Sequence, residues 1–267
     1  MTSQTSLTPS SVPWWTLRFE ALVETDPLLM GTEDGPAEAE VDFAIQLAGL
    51  SAGDQVLDVA CGTGLHSCFL QKRGIVATGV DLSRRLLRVA QDAWEGETGG
   101  PSWMPGDMRW LPRSGPYDAA VLFGPSFGFF EDDDEHRRTL TSIADLLKSN
   151  GKLVCNLYNP YHWAGRPFTQ YSPSAEDGPV ADAVRSYRFD AQRGRVEERT
   201  VLFCDGTRRE LPVATTRAWT PAEVITLFRS AGFRRVVVYG SDGWAVPEEP
   251  LPVHPQESVF LWVLAEL

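Results

Sequence analysis

The 267-residue sequence lacks the features that define several large classes of protein. No stretch approaches the roughly 18 uninterrupted apolar residues that a membrane-spanning helix needs. The first thirty residues show no basic start followed by an apolar run, which argues against a secretory leader. The four cysteines form no CxxC pair, so neither a zinc site nor a disulfide framework is indicated. We therefore expect a cytoplasmic protein with free thiols and no membrane partner.

Basic residues are also scarce. The chain has 24 Lys and Arg against 36 Asp and Glu, a formal net charge of −12. This charge repels a phosphate backbone, so no nucleic-acid partner is expected. The acidic run at 131–135 could suggest a metal site, but consecutive acids before a helix favour its dipole and remain solvated. We expect no metal.

The order of apolar segments predicts an α/β fold. From residue 55, strand and helix patterns alternate, which is typical of a parallel sheet with right-handed crossovers. A helix at about 135–148 is predicted to stop at Asn150-Gly151. With helices on both faces, the sheet is seven-stranded and mostly parallel. Its predicted strands are 55–60, 75–80, a short one at Trp103-Met104, 117–123, 152–157, 235–239 and 259–265.

Two segments interrupt this alternation. Residues 1–12 are polar, and an amphipathic helix follows from Trp14, which predicts an N-terminal helical lid. Between 159 and 218, period-two segments separated by glycine turns predict an antiparallel β insertion after strand five. We thus expect four parts: a lid segment (1–36), a ligand-binding core (37–158), an antiparallel cap (159–218) and the C-terminal part of the core sheet (219–267).

The turn after the first predicted strand carries the strongest chemical signal. Asp58 lies in that strand, and Gly62 and Gly64 follow where the backbone must approach a ligand closely. A dinucleotide fingerprint would have a third glycine where this chain has Ser67, and Asp58 would repel its pyrophosphate. The turn is therefore expected to hold a ligand that brings positive charge.

Two further acids follow predicted strands. Asp81 ends the second strand, 19 residues after Gly62, at the position from which a carboxylate reaches ribose hydroxyls. Asp107 follows the third strand and can accept a hydrogen bond from an exocyclic amine such as that of adenine. Together with Asp58, these acids indicate an adenosine ligand without a phosphate tail.

In this order and spacing, the motifs resemble class I S-adenosylmethionine-dependent methyltransferases of the small-molecule type. The resemblance spans about residues 50–160 and implies a Rossmann-like fold, S-adenosylmethionine as cofactor and S-adenosylhomocysteine as product. It rests on these segments: Leu57-Asp58-Val59-Ala60-Cys61-Gly62-Thr63-Gly64, Gly79-Val80-Asp81-Leu82-Ser83, Gly106-Asp107-Met108, Tyr117-Asp118-Ala119, Ser126-Phe127-Gly128-Phe129-Phe130 and Leu146-Leu147-Lys148-Ser149-Asn150-Gly151.

The resemblance also implies which residues of the 37–158 core bind the cofactor. They follow the first four strands: Asp58, Ala60, Gly62 and Gly64 for the methionine part, directly or through water; Asp81 and Leu82 for the ribose; Asp107 and Met108 for the adenine; and Phe123 after strand four. Each acid has a structural alternative: Asp58 as a turn cap, Asp81 as a helix cap and Asp107 as an ordinary turn acid.

Methyl transfer needs mainly alignment and exclusion of water, but a hydroxyl or ammonium acceptor must also lose a proton. His162 follows the fifth strand at its carboxyl end, where open α/β sheets bind ligands, so we predict it as the base, with Tyr161 beside it. Trp15, Phe127 and Trp163 are predicted to line the acceptor pocket, with packing between lid and sheet as the alternative.

The expected function is metal-independent methyl transfer to a nitrogen, oxygen or carbon atom of a small molecule in bacterial specialised metabolite biosynthesis. One alternative is an NAD(P)-dependent oxidoreductase, disfavoured by Ser67 and by the absence of a Tyr-x-x-x-Lys pair. The other is a non-catalytic module that binds an adenosyl ligand. The oligomeric state stays open, a homodimer included.

Overall fold

The computed structural model describes residues 12–25, 34–94, 99–164, 167–174 and 181–267. The polar N-terminal stretch expected to edge the lid lies outside them, apart from Val12. The elements in chain order are α1 Trp14–Thr25, α2 Asp34–Ala48, β1 Gln55–Val59, α3 Leu65–Lys72, β2 Val76–Asp81, α4 Arg84–Ala93, β3 Ser102–Pro105, β4 Tyr117–Leu122, a 3-10 turn Pro125–Phe129, α5 Asp133–Ala144, β5 Leu147–Tyr158, α6 Pro160–Trp163, β6 Phe168–Ser172, β7 Asp182–Asp190, β8 Arg195–Cys204, β9 Thr207–Glu210, β10 Ala214–Arg217, α7 Pro221–Ser230, β11 Arg235–Gly240 and β12 Phe260–Glu266.

Seven strands form the central sheet in the order β11-β12-β5-β4-β1-β2-β3. Strands β3, β2, β1, β4 and β5 pair in parallel, and β12 runs antiparallel to both β5 and β11. The predicted seven-stranded, mostly parallel sheet is confirmed. Because β1 lies between β2 and β4, the strand order reverses there, and the turns after β1 and β4 flank the crevice where such sheets bind ligands.

The period-two pattern of the strands gives the sheet two apolar faces. In β1, Leu57 packs into one buried cluster with α5 and α7, whereas Val56 packs into a second cluster with α2 and α3. Both side chains are fully buried, and each such burial contributes about 1.5–3 kcal/mol of transfer free energy. Helices therefore cover both faces of the sheet, as the alternating segments predict.

A second, antiparallel sheet lies between β5 and α7 in the chain. Its strand order is β10-β8-β7-β6, and β9 also pairs with β8. The insertion predicted after strand five is thus present, and we call this five-stranded sheet the cap sheet. Leu22 of α1 is buried against Ala183 and Leu202 of the cap sheet, so α1 packs on this sheet.

One predicted helix boundary is wrong. Helix α5 ends at Ala144, and Asn150-Gly151 lies inside β5 rather than at a helix stop. The pairing of β4 with β5 jumps from Tyr117–Leu147 to Ala119–Lys152, which marks a bulge in β5. A Cβ at position 151 would lie 2.7 Å from the Leu147 Cβ, so the glycine serves the bulge.

The helix ends agree better with their sequence signals. Thr220 and Glu223 form the predicted capping box at the start of α7. Ser83 caps α4 by accepting a hydrogen bond from the Leu86 backbone N–H at 3.2 Å. Among the described residues, no helix combines the length and apolar content that crossing a membrane requires.

Candidate cofactor site

A cavity of about 520 Å³ lies at the edge of the sheet where β1 to β4 end. Its floor includes Ala60 and Gly62 after β1 and Asp81 at the end of β2. Helix α1 faces them across the cavity through Trp15 and Phe19. The volume lies within the range of about 300–1,000 Å³ that small-molecule sites occupy.

The glycine turn after β1 has a left-handed backbone at three positions. Ala60 and Gly62 both have φ of 57°, and Gly64 has φ of 79°. A Cβ on Gly64 would lie 2.1 Å from the Trp103 ring, whereas a Cβ on Gly62 would meet no atom within 4 Å. Gly64 is therefore required by packing between the turn and β3. At Gly62 the missing side chain instead leaves backbone open to the cavity.

Asp81 ties the end of β2 to the glycine turn. One carboxylate oxygen accepts a hydrogen bond from the Gly62 N–H at 3.0 Å, and the other accepts from the Ser83 N–H at 2.7 Å. Burial raises the pKa of Asp81, against the lowering effect of these two N–H donors. The Asp81 carboxylate thus accepts the hydrogen bond of the Gly62 N–H. A dinucleotide-binding turn would donate this hydrogen bond to a pyrophosphate. The helix cap of α4 is Ser83 rather than Asp81.

Asp58 lies beneath the turn rather than in the cavity. It is 1% exposed and accepts a hydrogen bond from the Ser67 hydroxyl at 2.6 Å. Burial raises the pKa of Asp58, while nearby His66 and the Ser67 hydrogen bonds lower it. The serine that replaces a third glycine therefore holds this carboxylate. A direct contact of Asp58 with a ligand is not expected.

Asp107 lines the cavity but is already paired. The Arg109 guanidinium donates to its two oxygens, with Nη2 to Oδ2 at 2.7 Å and Nε to Oδ1 at 3.0 Å. Burial raises the pKa of Asp107, but the Arg109 hydrogen bonds outweigh it and hold the pKa below its usual value. Arg109 also bonds Glu135 and stacks 4.8 Å from the centre of the Phe130 ring. Sequence reasoning missed this arginine although its partner Asp107 is two residues away; its second partner, Glu135, lies on α5.

Comparison with known proteins identifies the domain around this cavity. Residues 56–151 match the family described as methyltransferase domain. Glycine N-methyltransferase of Homo sapiens is 34% identical over 123 residues, which is 40% of this chain and 42% of that protein. The chain thus spans about two fifths of the length of this relative.

Residues 56–151 belong to a methyltransferase domain family. The predicted family is confirmed. Among solved structures, the CcbJ methyltransferase of Streptomyces caelestis aligns with a TM-score of 0.73 at 17% identity, over 95% of this chain and 98% of that chain. CalS10 of Micromonospora echinaspora aligns at 0.63 and 21% identity, over 93% and 96%. At these identities the two structures support the fold alone.

Only some of the predicted cofactor residues line the cavity of the methyltransferase domain. Six of them line the cavity: Ala60, Gly62, Asp81, Leu82, Asp107 and Met108. Gly64 and Asp58 support the turn from behind, as described above. Phe123 is 6% exposed and packs 4.6 Å from the His66 ring and 5.9 Å from the Trp262 ring, centre to centre. Phe123 is not among the described residues that line the cavity.

Two of the three predicted acceptor-pocket aromatics need correction. Trp15 lines the cavity. Phe127 is 1% exposed and packs on Trp219 and Phe228 in the core, while Trp163 is 2% exposed and packs on Tyr158. The cavity wall instead contains Phe129 and Phe130 from the same segment as Phe127. The Phe spacing alone does not show which of the three rings faces the cavity.

The predicted base also lies elsewhere. The His162 Nδ1–H donates to the Gln256 carbonyl oxygen at 2.7 Å, and neither His162 nor Tyr161 is among the described residues that line the cavity. Their helix, α6, packs against β7 and β8 of the cap sheet. A catalytic role for either residue therefore has no geometric support at this cavity.

His66 of α3 takes part in a hydrogen-bond network with α2 and β5. Its Nε2 lies 2.7 Å from Glu40 Oε2, and the other Glu40 oxygen accepts from the Asn156 side-chain amide at 3.0 Å. Asn156 in turn accepts from the Gly124 N–H at 2.8 Å. Burial lowers the pKa of His66, but Glu40 outweighs it and raises the pKa above the usual value. This network joins α2 to the turn after β4.

Proposed function

We propose that this chain transfers the methyl group of S-adenosylmethionine to an amine nitrogen of a small molecule. The single observation that carries the proposal is the hydrogen bond from the Gly62 N–H to Asp81 at the floor of the cavity. It supplies a carboxylate at the ribose position and removes the N–H that a pyrophosphate would need. The nicotinamide alternative is disfavoured for the same reason.

The cavity residues fit an adenosyl sulfonium. Gly62 leaves open space beside the turn, and Asp81, with Leu82 next to it, lies where ribose hydroxyls would be held. Met108 offers an apolar contact for an adenine ring, and Asp107 offers carboxylate oxygens for its amine. When bound, S-adenosylmethionine supplies a methyl group that the sulfonium already activates. The carboxylates near the floor favour a cationic ligand.

The remaining wall orients the acceptor and excludes water. Trp15 and Phe19 of α1 and Phe129 and Phe130 of the 3-10 turn close the cavity with apolar surface. Removing water and holding the acceptor in line are the main requirements of a methyl transfer. The helix α1 therefore acts as the lid that the sequence predicts.

The charges on the cavity wall support an acceptor that carries an amine and an anionic group. Glu20 of α1 offers a carboxylate, and Arg84 and Arg88 of α4 offer guanidinium groups. Such a pair of opposite charges complements a zwitterion or an amino group on an acidic molecule. The names of two compared proteins agree in part, since one is a glycine N-methyltransferase and the other an amino pentose methyltransferase involved in calicheamicin biosynthesis.

Other predictions about context extend this proposal. A cytoplasmic location and a place in specialised metabolite biosynthesis stay predictions. So do oxygen or carbon as the methylated atom and the four-part division of the chain. Within the described residues no group of three or more His, Cys, Asp or Glu side chains is arranged as a metal site.

The cofactor is tested by isothermal titration of the purified chain with S-adenosylmethionine and S-adenosylhomocysteine, with NADH as the control. Binding of the first two ligands without NADH supports the proposal, and the reverse result overturns it. The acceptor is then sought by measuring S-adenosylhomocysteine formation with amino acids and amino sugars. Cofactor binding without turnover on any amine would favour the non-catalytic module instead.

A further inference from the structure

The guanidinium of Arg195 joins the cap sheet to the 3-10 turn of the methyltransferase domain. Arg195 is the first residue of β8 and is 3% exposed. Its Nη1 donates to the Phe130 carbonyl oxygen at 2.8 Å, and its Nη2 lies 3.0 Å from the Gly128 oxygen and 3.1 Å from the Phe129 oxygen. The same Nη2 donates to the Thr215 oxygen of β10 at 2.8 Å.

These contacts meet the cavity wall from behind. The backbone of residues 128–130 carries the three carbonyls that Arg195 binds, and Phe129 and Phe130 in the same segment line the cavity. Consecutive carbonyls at the end of a 3-10 turn lack intrahelical partners and must find donors. One buried arginine supplies them, so its position sets the position of this wall.

The turn also packs tightly on β10. A Cβ on Gly128 would lie 2.6 Å from Thr216 Cγ2 and 2.7 Å from the Arg217 oxygen. This close packing ties the position of the turn to that of β10 in the cap sheet. Phe129 and Phe130 further contact Trp14 and Trp15 of α1 at 4.9 and 5.6 Å between ring centres. The turn is thus held between α1, β10 and Arg195.

We propose that Arg195 is a positioning residue that holds the Phe129–Phe130 wall in its ligand-binding position and so couples the cap sheet to the cofactor cavity. This inference rests on the proposed function. Lysine cannot replace the arginine, because an ammonium lacks the planar fork that reaches separate acceptors on two segments. Glu131 is the nearest carboxylate, 3.8 Å from Nη2, and it lies toward solvent rather than toward the turn.

The test measures the dissociation constant of S-adenosylhomocysteine by isothermal titration for Arg195→Met and Arg195→Lys. Both variants are expected to bind roughly tenfold more weakly or worse, the scale of a lost charge-assisted hydrogen bond. Arg199→Met is the matched control, because Arg199 lies on the same strand with its side chain exposed. Val236→Ala controls for stability, because Val236 is a buried residue of β11, at the edge of the central sheet opposite β3 and away from the cavity.

A chemical rescue separates positioning from general loss of stability. In Arg195→Ala, guanidinium at millimolar concentration is expected to restore most of the lost affinity, and methylammonium is not. All titrations are made below the melting temperature of each variant. Val236→Ala is expected to melt earlier than the wild type while keeping the wild-type dissociation constant.

The possible failures have different signatures. If Arg195→Met and Arg195→Lys bind S-adenosylhomocysteine as tightly as the wild type, Arg195 does not position the wall. The inference also fails if Val236→Ala loses as much affinity as Arg195→Met, since the effect would then follow stability alone. If the wild type itself binds no S-adenosylhomocysteine, the proposed function is wrong, and the inference about Arg195 that rests on it is wrong as well.

Discussion

The Asp81 carboxylate accepts a hydrogen bond from the backbone N–H of Gly62 at 3.0 Å, although the two residues belong to successive strand–turn units. The contact closes the glycine turn over the end of β2 and places a buried negative charge on the cavity floor. It links two motifs that sequence reasoning treats separately. The position of this charge is the physical reason for preferring a cationic nucleoside to a phosphorylated one.

Asp81→Asn is expected to weaken binding of S-adenosylmethionine by about tenfold or more, because it removes the charge while keeping the size of the side chain. Asp81→Ala should weaken it further while the fold stays intact. Titration calorimetry gives the affinity and a thermal melt reports folding. Asp92→Asn, on the exposed side of α4, is the control. Unchanged affinity in Asp81→Ala would remove the ribose assignment.

Gly62→Ala separates backbone strain from ligand contact. Gly62 and Gly206 both have positive φ, 57° and 72°, and a Cβ at either meets nothing within 4 Å. Both alanine variants should therefore lose about 1–2 kcal/mol of unfolding free energy, the cost of a left-handed alanine. Only Gly62→Ala should also lose cofactor affinity, because Gly62 lines the cavity. Urea denaturation measures the loss of stability in each variant, and titration calorimetry measures its affinity for the cofactor. If the two variants bind the cofactor equally well, Gly62 does not contact it.

His136 predicts a pH dependence of stability. It is fully buried, and neither ring nitrogen has a hydrogen-bond partner in the described residues. Burial, and then the charges of Arg195 and Arg217, lower its pKa from 6.5 to about 3. The unfolded chain therefore binds a proton that the folded chain rejects, and stability falls as the pH drops from 6.5 toward 3.

His136→Leu removes this proton linkage. Between pH 7 and pH 5 the wild type should lose about 2 kcal/mol more unfolding free energy than the variant. Urea denaturation at the two pH values measures the difference. His254→Gln, at a histidine whose side chain is 57% exposed, should follow the wild-type profile. Parallel profiles for His136→Leu and the wild type would show that His136 does not titrate as proposed.

Arg18 is expected to hold α1 over the cavity. It is 5% exposed, pairs with Glu198 and donates to the Thr200 hydroxyl at 2.9 Å and the Pro212 carbonyl oxygen at 2.8 Å. Arg18→Met removes the charged partner of the Glu198 carboxylate, so it should lower the free energy of unfolding by about 3–5 kcal/mol. Faster hydrogen exchange in residues 14–25 and weaker cofactor binding are the expected readouts.

A double-mutant cycle isolates the Arg18 contact. Because Glu198→Gln removes the other charge, the double variant should be less destabilised than the sum of the two single changes. The coupling is measured from urea denaturation of all four proteins. Additive losses, with exchange in α1 unchanged in Arg18→Met, would mean that the pair does not hold the lid.

The sequence predicted the acidic residues at the strand ends of the cavity, whereas most residues predicted for the acceptor lie away from it. Asp81 and Asp107 follow strands whose period-two pattern is visible, so their meeting at one edge of the sheet could be inferred. His162 follows the fifth strand by the same rule, yet the short helix α6 packs it against the cap sheet. Position after a strand places a backbone, whereas the next turn decides where the side chain lies.

Local pattern in the sequence determined the βα alternation, the glycine turn and the three acids, because each depends on residues that are close in the chain. The tertiary structure alone decided which aromatic rings face the cavity, that Arg109 also bonds Glu135 of α5, and that Arg195 binds the turn from the cap sheet. Those contacts join segments from separate elements. Their geometry depends on how the cap sheet and α1 pack on the core, which local periodicity does not encode.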